Sequence, residues 1–259
     1  MTDARNQADA AALAARVGIR SASTLDDYAA VCRLLDDTWG RGSGADPSFV
    51  QAIAHAGNTV LVAERDGVLV GTVVGVLGWD DGVHVHSHVA AVTPTARGGV
   101  GFALKLAQRA LALDNGVGEI RWTYDPLIRR NAHLNIEKLG ATVRAYHPDF
   151  YGRLDDAISG ADRSDRFEVS WLLDSPEVSA TVQRSIERAG SLASYQAPVV
   201  ASVHGIRFEL HADYEGLRGS DPAAAAEFRD ASRAVFEPAF SEGLAVGFAD
   251  GGYLFTEER

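Results

Sequence analysis

Residues 84–113 constrain the fold more than any other stretch. An apolar strand ending at Val92-Thr93-Pro94 runs into Arg97-Gly98-Gly99-Val100-Gly101 and then directly into a helix. Val100, Ala103, Leu104, Ala107 and Leu111 share one face of that helix. Strand, glycine turn and helix start together form an anion cradle, because glycine lets backbone approach a ligand closely and the first N–H groups of a helix have no intrahelical partner. A diphosphate suits such a cradle. The turn matches neither common phosphate motif. Gly101 is followed by Phe102-Ala103 where a Walker loop requires Lys-Ser/Thr, and the third glycine of the dinucleotide fingerprint falls on Ala103 or Leu104. The plain alternative is that these glycines only close a strand-to-helix turn.

Taken with Pro94 and the later Glu137-Lys138-Leu139-Gly140, this run resembles the pyrophosphate loop and late helix of the GNAT superfamily of N-acetyltransferases. The resemblance extends over about 19–171. Trp122-Thr123-Tyr124-Asp125-Pro126 and His147-Pro148-Asp149-Phe150-Tyr151-Gly152 are similar to a bacterial branch with an extra C-terminal segment. The resemblance implies an α/β fold with a mixed, partly antiparallel sheet flanked by helices and a smaller α/β C-terminal segment packed on it. It also implies an N-acyltransferase that passes an acyl group directly from acetyl-CoA or another acyl-CoA, with no metal, to a small-molecule amine. Acetyl is the default, succinyl the second choice, and an amino acid a plausible acceptor. By the same resemblance, coenzyme A is held by Val92, Thr93, Arg97, Gly98, Gly99, Val100, Gly101 and Asn131. Two positions depart from the pattern. The family's Arg/Gln position falls on Ala96, one residue before Arg97, and Ile136 stands where a tyrosine acid is usual. These departures favour a second reading, a non-catalytic acyl-CoA sensor or interaction protein.

A period of two places His84, His86 and His88 on one face of strand 83–92, with Val83, Val85, Ser87 and Val89 on the other. In the resembling family, histidines at the offsets of His86 and His88 draw a proton from the acceptor amine through water. Imidazole is suited to that task near neutral pH. Two other readings stay open: half-buried strand histidines bonded to neighbours, and a His-x-His metal site, which lacks a partner at ligand spacing apart from Asp80 and Asp81. Tyr124, Tyr146 and Tyr151 are substitute acids or core aromatics. Asn131 is either an amide for the pantetheine arm or a helix N-cap.

The 259 residues carry a net charge of −11, which disfavours nucleic acid and anionic membrane as partners. A polyanionic coenzyme then needs local cations, for which Arg97, Lys105, Arg109, Arg129 and Arg130 are the candidates. Cys32 cannot form an internal disulfide, and no membrane-length apolar run or secretory signal is evident, so a cytoplasmic protein is expected. A homodimer is left open. The expected organisation is a flexible lead over 1–17, either a frayed helix or disordered, the acyltransferase domain over 18–173 and a C-terminal α/β segment over 174–259. The acidic stretch 153–166 reads as a linker or an exposed loop. Beyond it, 199–203, 206–210, 244–248 and 253–255 read as strands and 222–236 as a helix.

Overall fold

A computed structural model describes residues 3–40, 42, 46–96, 98–154, 156–160, 162–189 and 205–257. The chain runs α1 (Asp3–Ala15), β1 (Gly18–Ser21), α2 (Leu25–Trp39), α3 (Pro47–His55), β2 (Thr59–Arg65), β3 (Val68–Gly78), β4 (His84–Val92), a 3-10 turn (Pro94–Ala96), α4 (Val100–Asp114) and β5 (Glu119–Tyr124). It continues through α5 (Arg129–Ala132), a π-helical turn (His133–Lys138), β6 (Thr142–His147), β7 (Arg166–Leu172), α6 (Pro176–Ala189), β8 (Ile206–Glu209), α7 (Tyr214–Ser220), α8 (Pro222–Ser241), β9 (Ala245–Ala249) and β10 (Gly252–Thr256). The larger sheet has the order β1-β2-β3-β4-β5-β7-β6 and the smaller β8-β10-β9. Strands β1 to β4 pair antiparallel and β4 pairs parallel with β5, so the sheet is mixed as expected. Among the described residues no helix is long and apolar enough to cross a membrane.

Two compact units emerge, residues 1–122 with 171–192 and residues 123–170 with 193–259. In the first, α4 lies against the glycine-bearing face of β3. A Cβ at Gly71 would stand 3.0 Å from Val100 Cγ1, and one at Gly75 would stand 2.8 Å from Gln108 Nε2. The other face of the sheet carries an apolar cluster in which Tyr28, Val31, Leu34 and Leu35 of α2 meet Val50, Val60, Val62, Val74 and Ala91, with Trp39 packed against it. Cys32 is buried there as a free thiol, and burial raises its pKa. Helix α2 starts on a reciprocal cap: the Thr24 hydroxyl accepts from the Asp27 N–H, and the Asp27 carboxylate accepts from the Thr24 N–H.

The lead, read from the sequence as a frayed helix or a disordered stretch, is helix α1, and it is not frayed: it buries Ala4, Gln7, Ala8, Ala11 and Ala15. Its small side chains allow close approach to α4. The buried Arg109 guanidinium fixes it by donating to Gln7 Oε1 (2.6 Å), Ser179 Oγ (2.9 Å) and Leu173 O (2.8 Å).

In the second unit, Asp125 after β5 and the stretch before β7 meet the C-terminal helices. Arg229, fully buried, reaches Asp125 at 2.9 Å and Asp162 at 2.7 Å, while Arg218 reaches the same carboxylates at 3.2 and 3.4 Å. Arg233 holds Asp165, which also accepts from the Tyr146 hydroxyl at 2.7 Å. The described part of the acidic stretch is therefore a loop that is only partly exposed, because guanidinium partners draw Asp162 and Asp165 inside. Around them Phe167 and Phe236 pack with ring centroids 5.0 Å apart, and Tyr146, Tyr253 and Phe255 close the cluster. These contacts group 123–170 with the C-terminal stretch, where the sequence suggests a division after 173. Strand 199–203 lies outside the described residues. Helix 222–236 is present and continues to Ser241 through Pro238.

Candidate active site: strand β4, its bulge and the glycine turn

Strand β4 does not keep a period of two. Its register with β3 pairs Gly75 with Ser87 and Val74 with Val89, which leaves His88 as the extra residue of a β-bulge. His84 and His86 therefore precede the bulge, and Val89 joins Ala91 at the apolar cluster rather than lying opposite the histidines. His84 is buried, its Nδ1 2.9 Å from Gly82 O and its ring packed over Gly78. His86 is half-buried and His88 exposed, with ring centroids 6.2 Å apart. Of the three expected together, His86 and His88 are a pair and His84 is a structural neighbour.

The bulge coincides with a parting of strands. Between β4 and β5 the register partners are Val85 with Ile120 and His86 with Arg121. Ser87 and Trp122 are the next residues on each strand. Lys105 of α4 sits beneath this vertex, donating to Ser87 Oγ at 2.7 Å with its ammonium nitrogen 4.0 Å from the Trp122 ring centre. Burial pushes the Lys105 amine down to about 7. The neighbouring Gln108 is fully buried, with Nε2 unpartnered among the described residues.

Past Val92, the Thr93 N–H donates to Val70 O at 2.9 Å and the Thr93 carbonyl accepts from the Ala96 N–H at 3.0 Å. The Thr93 N–H is thus committed to the fold rather than offered to a ligand. Gly98 and Gly99 turn the chain with φ of +117° and +106°, values that side chains disfavour. A Cβ at Gly98 would meet nothing within 4 Å, so the turn faces open space. Gly99 caps α4 without a side-chain hydrogen bond, and the first α-helical bond runs from the Ala103 N–H to Gly99 O. The Val100 and Gly101 N–H groups precede that bond and suit an anion at the helix start. A Cβ at Gly101 would stand 3.9 Å from Val92 Cγ2. Arg97 lies outside the described residues.

The expected cations divide differently. Lys105 and Arg109 are buried and engaged inside the unit, and Arg130 is paired with Glu215. Arg16 and Arg65, which the sequence did not single out, stand instead beside Gly98. Asn131 is in the second unit, inside α5, whose N-cap position is Ile128, so the capping role is excluded. Ile136 lies in the π-helical turn. Burial raises the pKa of Tyr124, whose hydroxyl meets that of Tyr253, and of Tyr146, which faces Asp165. Tyr151 is exposed beside the Thr123 hydroxyl. Among the described residues no group of three or more His, Cys, Asp or Glu could hold a metal ion.

No protein-family model and no curated protein matches the sequence. Solved structures do match. A putative acetyltransferase from Salmonella typhimurium with its cofactor acetyl-CoA is 22% identical at a TM-score of 0.50, covering 61% of this chain and 95% of that one. The ribosomal-protein-S18-alanine N-acetyltransferase from Escherichia coli is 16% identical at 0.50, covering 61% and 95%. An acetyltransferase of the GNAT family from Streptococcus pneumoniae is 16% identical at 0.50, covering 60% and 97%. Over that three-fifths of its length, this chain has the fold of the GNAT N-acetyltransferases.

Proposed function

We propose that the protein is an acyl-CoA-dependent N-acyltransferase, with acetyl as the default acyl group, succinyl as the second, and a small-molecule amine, such as an amino acid, as acceptor. The observation that carries this reading is the continuous run of bulged β4, parted strands, positive-φ glycines and an α4 start without a side-chain cap. The acetyl-CoA bound to the Salmonella typhimurium protein of the same fold supports it. The α4 start and the 98–101 backbone would hold the diphosphate, and the parting of β4 and β5 would admit the pantetheine arm. His88, assisted by His86, would take the amine proton through water. The amine then attacks the thioester carbonyl, polarised by a backbone N–H near Val92, and the thiolate leaves without a covalent enzyme intermediate.

The sensor reading is favoured by one observation: Ile136 replaces the usual acid, while Tyr124 and Tyr146 have pKa values raised by burial. Turnover separates the two. Free-thiol release should be seen from acetyl-CoA or succinyl-CoA with at least one member of a panel of amines and amino acids. Tight coenzyme A binding with no acceptor-dependent thiol release from either donor would select the sensor.

A further inference from the structure

We infer that the recess beside the glycine turn is a second phosphate subsite, in which Arg16 and Arg65 take the ribose phosphomonoester of coenzyme A. This rests on the coenzyme A reading above and assigns residues which that reading leaves unused. The recess has a volume of about 550 Å³ and is lined by Ala14, Ala15, Arg16, Arg65, Asp66 and Gly98. It therefore joins three pieces of backbone: the end of α1, the β2–β3 turn and the glycine turn.

The local fold explains why two guanidinium groups gather there. Helix α1 ends at Ala15, and Arg16, with φ of +55°, turns the chain away from it. The terminal carbonyls of such a helix need donors, and Arg65 supplies them, giving Nη2 to Ala15 O at 2.9 Å and Nε to Arg16 O at 3.4 Å. Carbonyl partners orient a guanidinium without neutralising it. Two cations and the single carboxylate of Asp66 leave the lining net positive, in a chain whose overall charge is −11. Ala15 Cβ lies only 3.6 Å from the position a Gly99 Cβ would take, so the recess abuts the start of α4. A ligand with its diphosphate on that helix start and a further phosphate beyond it would find the second cationic group within the same concavity. Coenzyme A, which carries a ribose phosphomonoester in addition to its diphosphate, has that form. Arginine is also the side chain whose planar fork best matches a phosphate.

Calorimetric titration of the full chain with coenzyme A and with 3′-dephospho-coenzyme A tests the assignment. Charge-assisted bonds of this kind should make coenzyme A bind about tenfold more tightly or better. Arg16→Ala should shrink that preference, and adding Arg65→Gln, which keeps a donor for the α1 carbonyls without the charge, should bring it near unity. Affinity for the dephospho compound should change little. Equal wild-type affinities, or a full preference surviving in the double variant, would overturn the subsite while leaving the coenzyme A reading in place. Failure of both compounds to bind would overturn that reading and the subsite with it.

Discussion

At the scale of single residues, the groups that matter are those whose backbone or protonation is unusual. Gly99, at φ +106°, opens α4, so Gly99→Asp adds strain, bulk and negative charge where an anion is to bind. Calorimetry should show coenzyme A affinity reduced at least about tenfold in the folded variant; unchanged affinity would place the cradle elsewhere. His86→Gln/His88→Gln should lower turnover by about 10²–10⁴-fold and flatten the pH–rate profile with coenzyme A binding retained. A profile of unchanged shape would return both rings to a purely structural role. Lys105 titrates well below an exposed lysine, because burial disfavours its charged form. Its folded value near 7 lies below the unfolded value, so between about pH 7 and 10 the unfolded chain holds a proton that the folded chain lacks. Stability from this group therefore rises with pH across that window, by at most about 1.4 kcal/mol per pH unit. Denaturant unfolding at several pH values should find that slope reduced in Lys105→Met; identical slopes would mean that Lys105 is protonated in the folded protein. The glycines were legible from residue type and spacing, whereas His86 and His88 were singled out by the family resemblance, on a strand whose period the bulge breaks. Lys105 was not legible, since a lysine on an amphipathic helix looks like a surface charge until the strands beside it part.

At the scale of elements, the sequence period carried α4 almost to its observed end at Asp114, because Val100, Ala103, Leu104, Ala107 and Leu111 recur at helical spacing after the glycine turn. It failed at β4 for one physical reason. A bulge inserts a residue without altering composition, so Ser87-His88-Val89 reads as unbroken alternation while the chain places Val89 at the apolar cluster. At α1 it gave only a frayed helix or a disordered lead, because Ala4, Ala8, Ala11 and Ala15 offer little apolar area, and their value lies in letting α4 approach. The same logic fixes β3 against α4. A Cβ at Gly75 would stand 2.8 Å from Gln108 Nε2, 3.0 Å from Val85 Cγ1 and 3.1 Å from His86 O, contacts that leave no room for a side chain. Gly75→Val should thus destabilise the protein by about 1–3 kcal/mol or more through overpacking, and should disturb the β4 bulge. Chemical denaturation measures the first effect, and thiol-release kinetics the second. A variant with wild-type stability would show that α4 can withdraw at no cost.

At the scale of the whole molecule, the stretch beyond α6 is joined to 123–170 by chemistry that composition alone does not reveal. Charged residues before β7 and on α7 and α8 look like solvated surface until Asp125, Asp162 and Asp165 are seen facing Arg218, Arg229 and Arg233. Burial acts to raise the Asp125 carboxyl, and the attraction and hydrogen bonds of Arg229 outweigh it, so the group lies below the usual carboxylate range. Its folded value being depressed, the stabilisation is present above the ordinary carboxylate value and is lost as pH falls through the folded value. Removing one partner is more damaging than this pH effect, because the buried carboxylates then lose their closest counter-charge. Arg229→Leu leaves Asp125 and Asp162 sharing Arg218, which reaches them at 3.2 and 3.4 Å, at a cost of up to about 3–5 kcal/mol. Removing 205–259 deletes all three arginines at once and strips Phe236, Phe240 and Tyr253 from Phe167. The truncated chain should aggregate, or remain soluble only with exposed apolar surface that binds a hydrophobic dye and with an earlier, broader thermal transition. A truncated protein that stays monomeric, excludes the dye and melts where the full chain does would show that 123–170 is stable without its arginine partners.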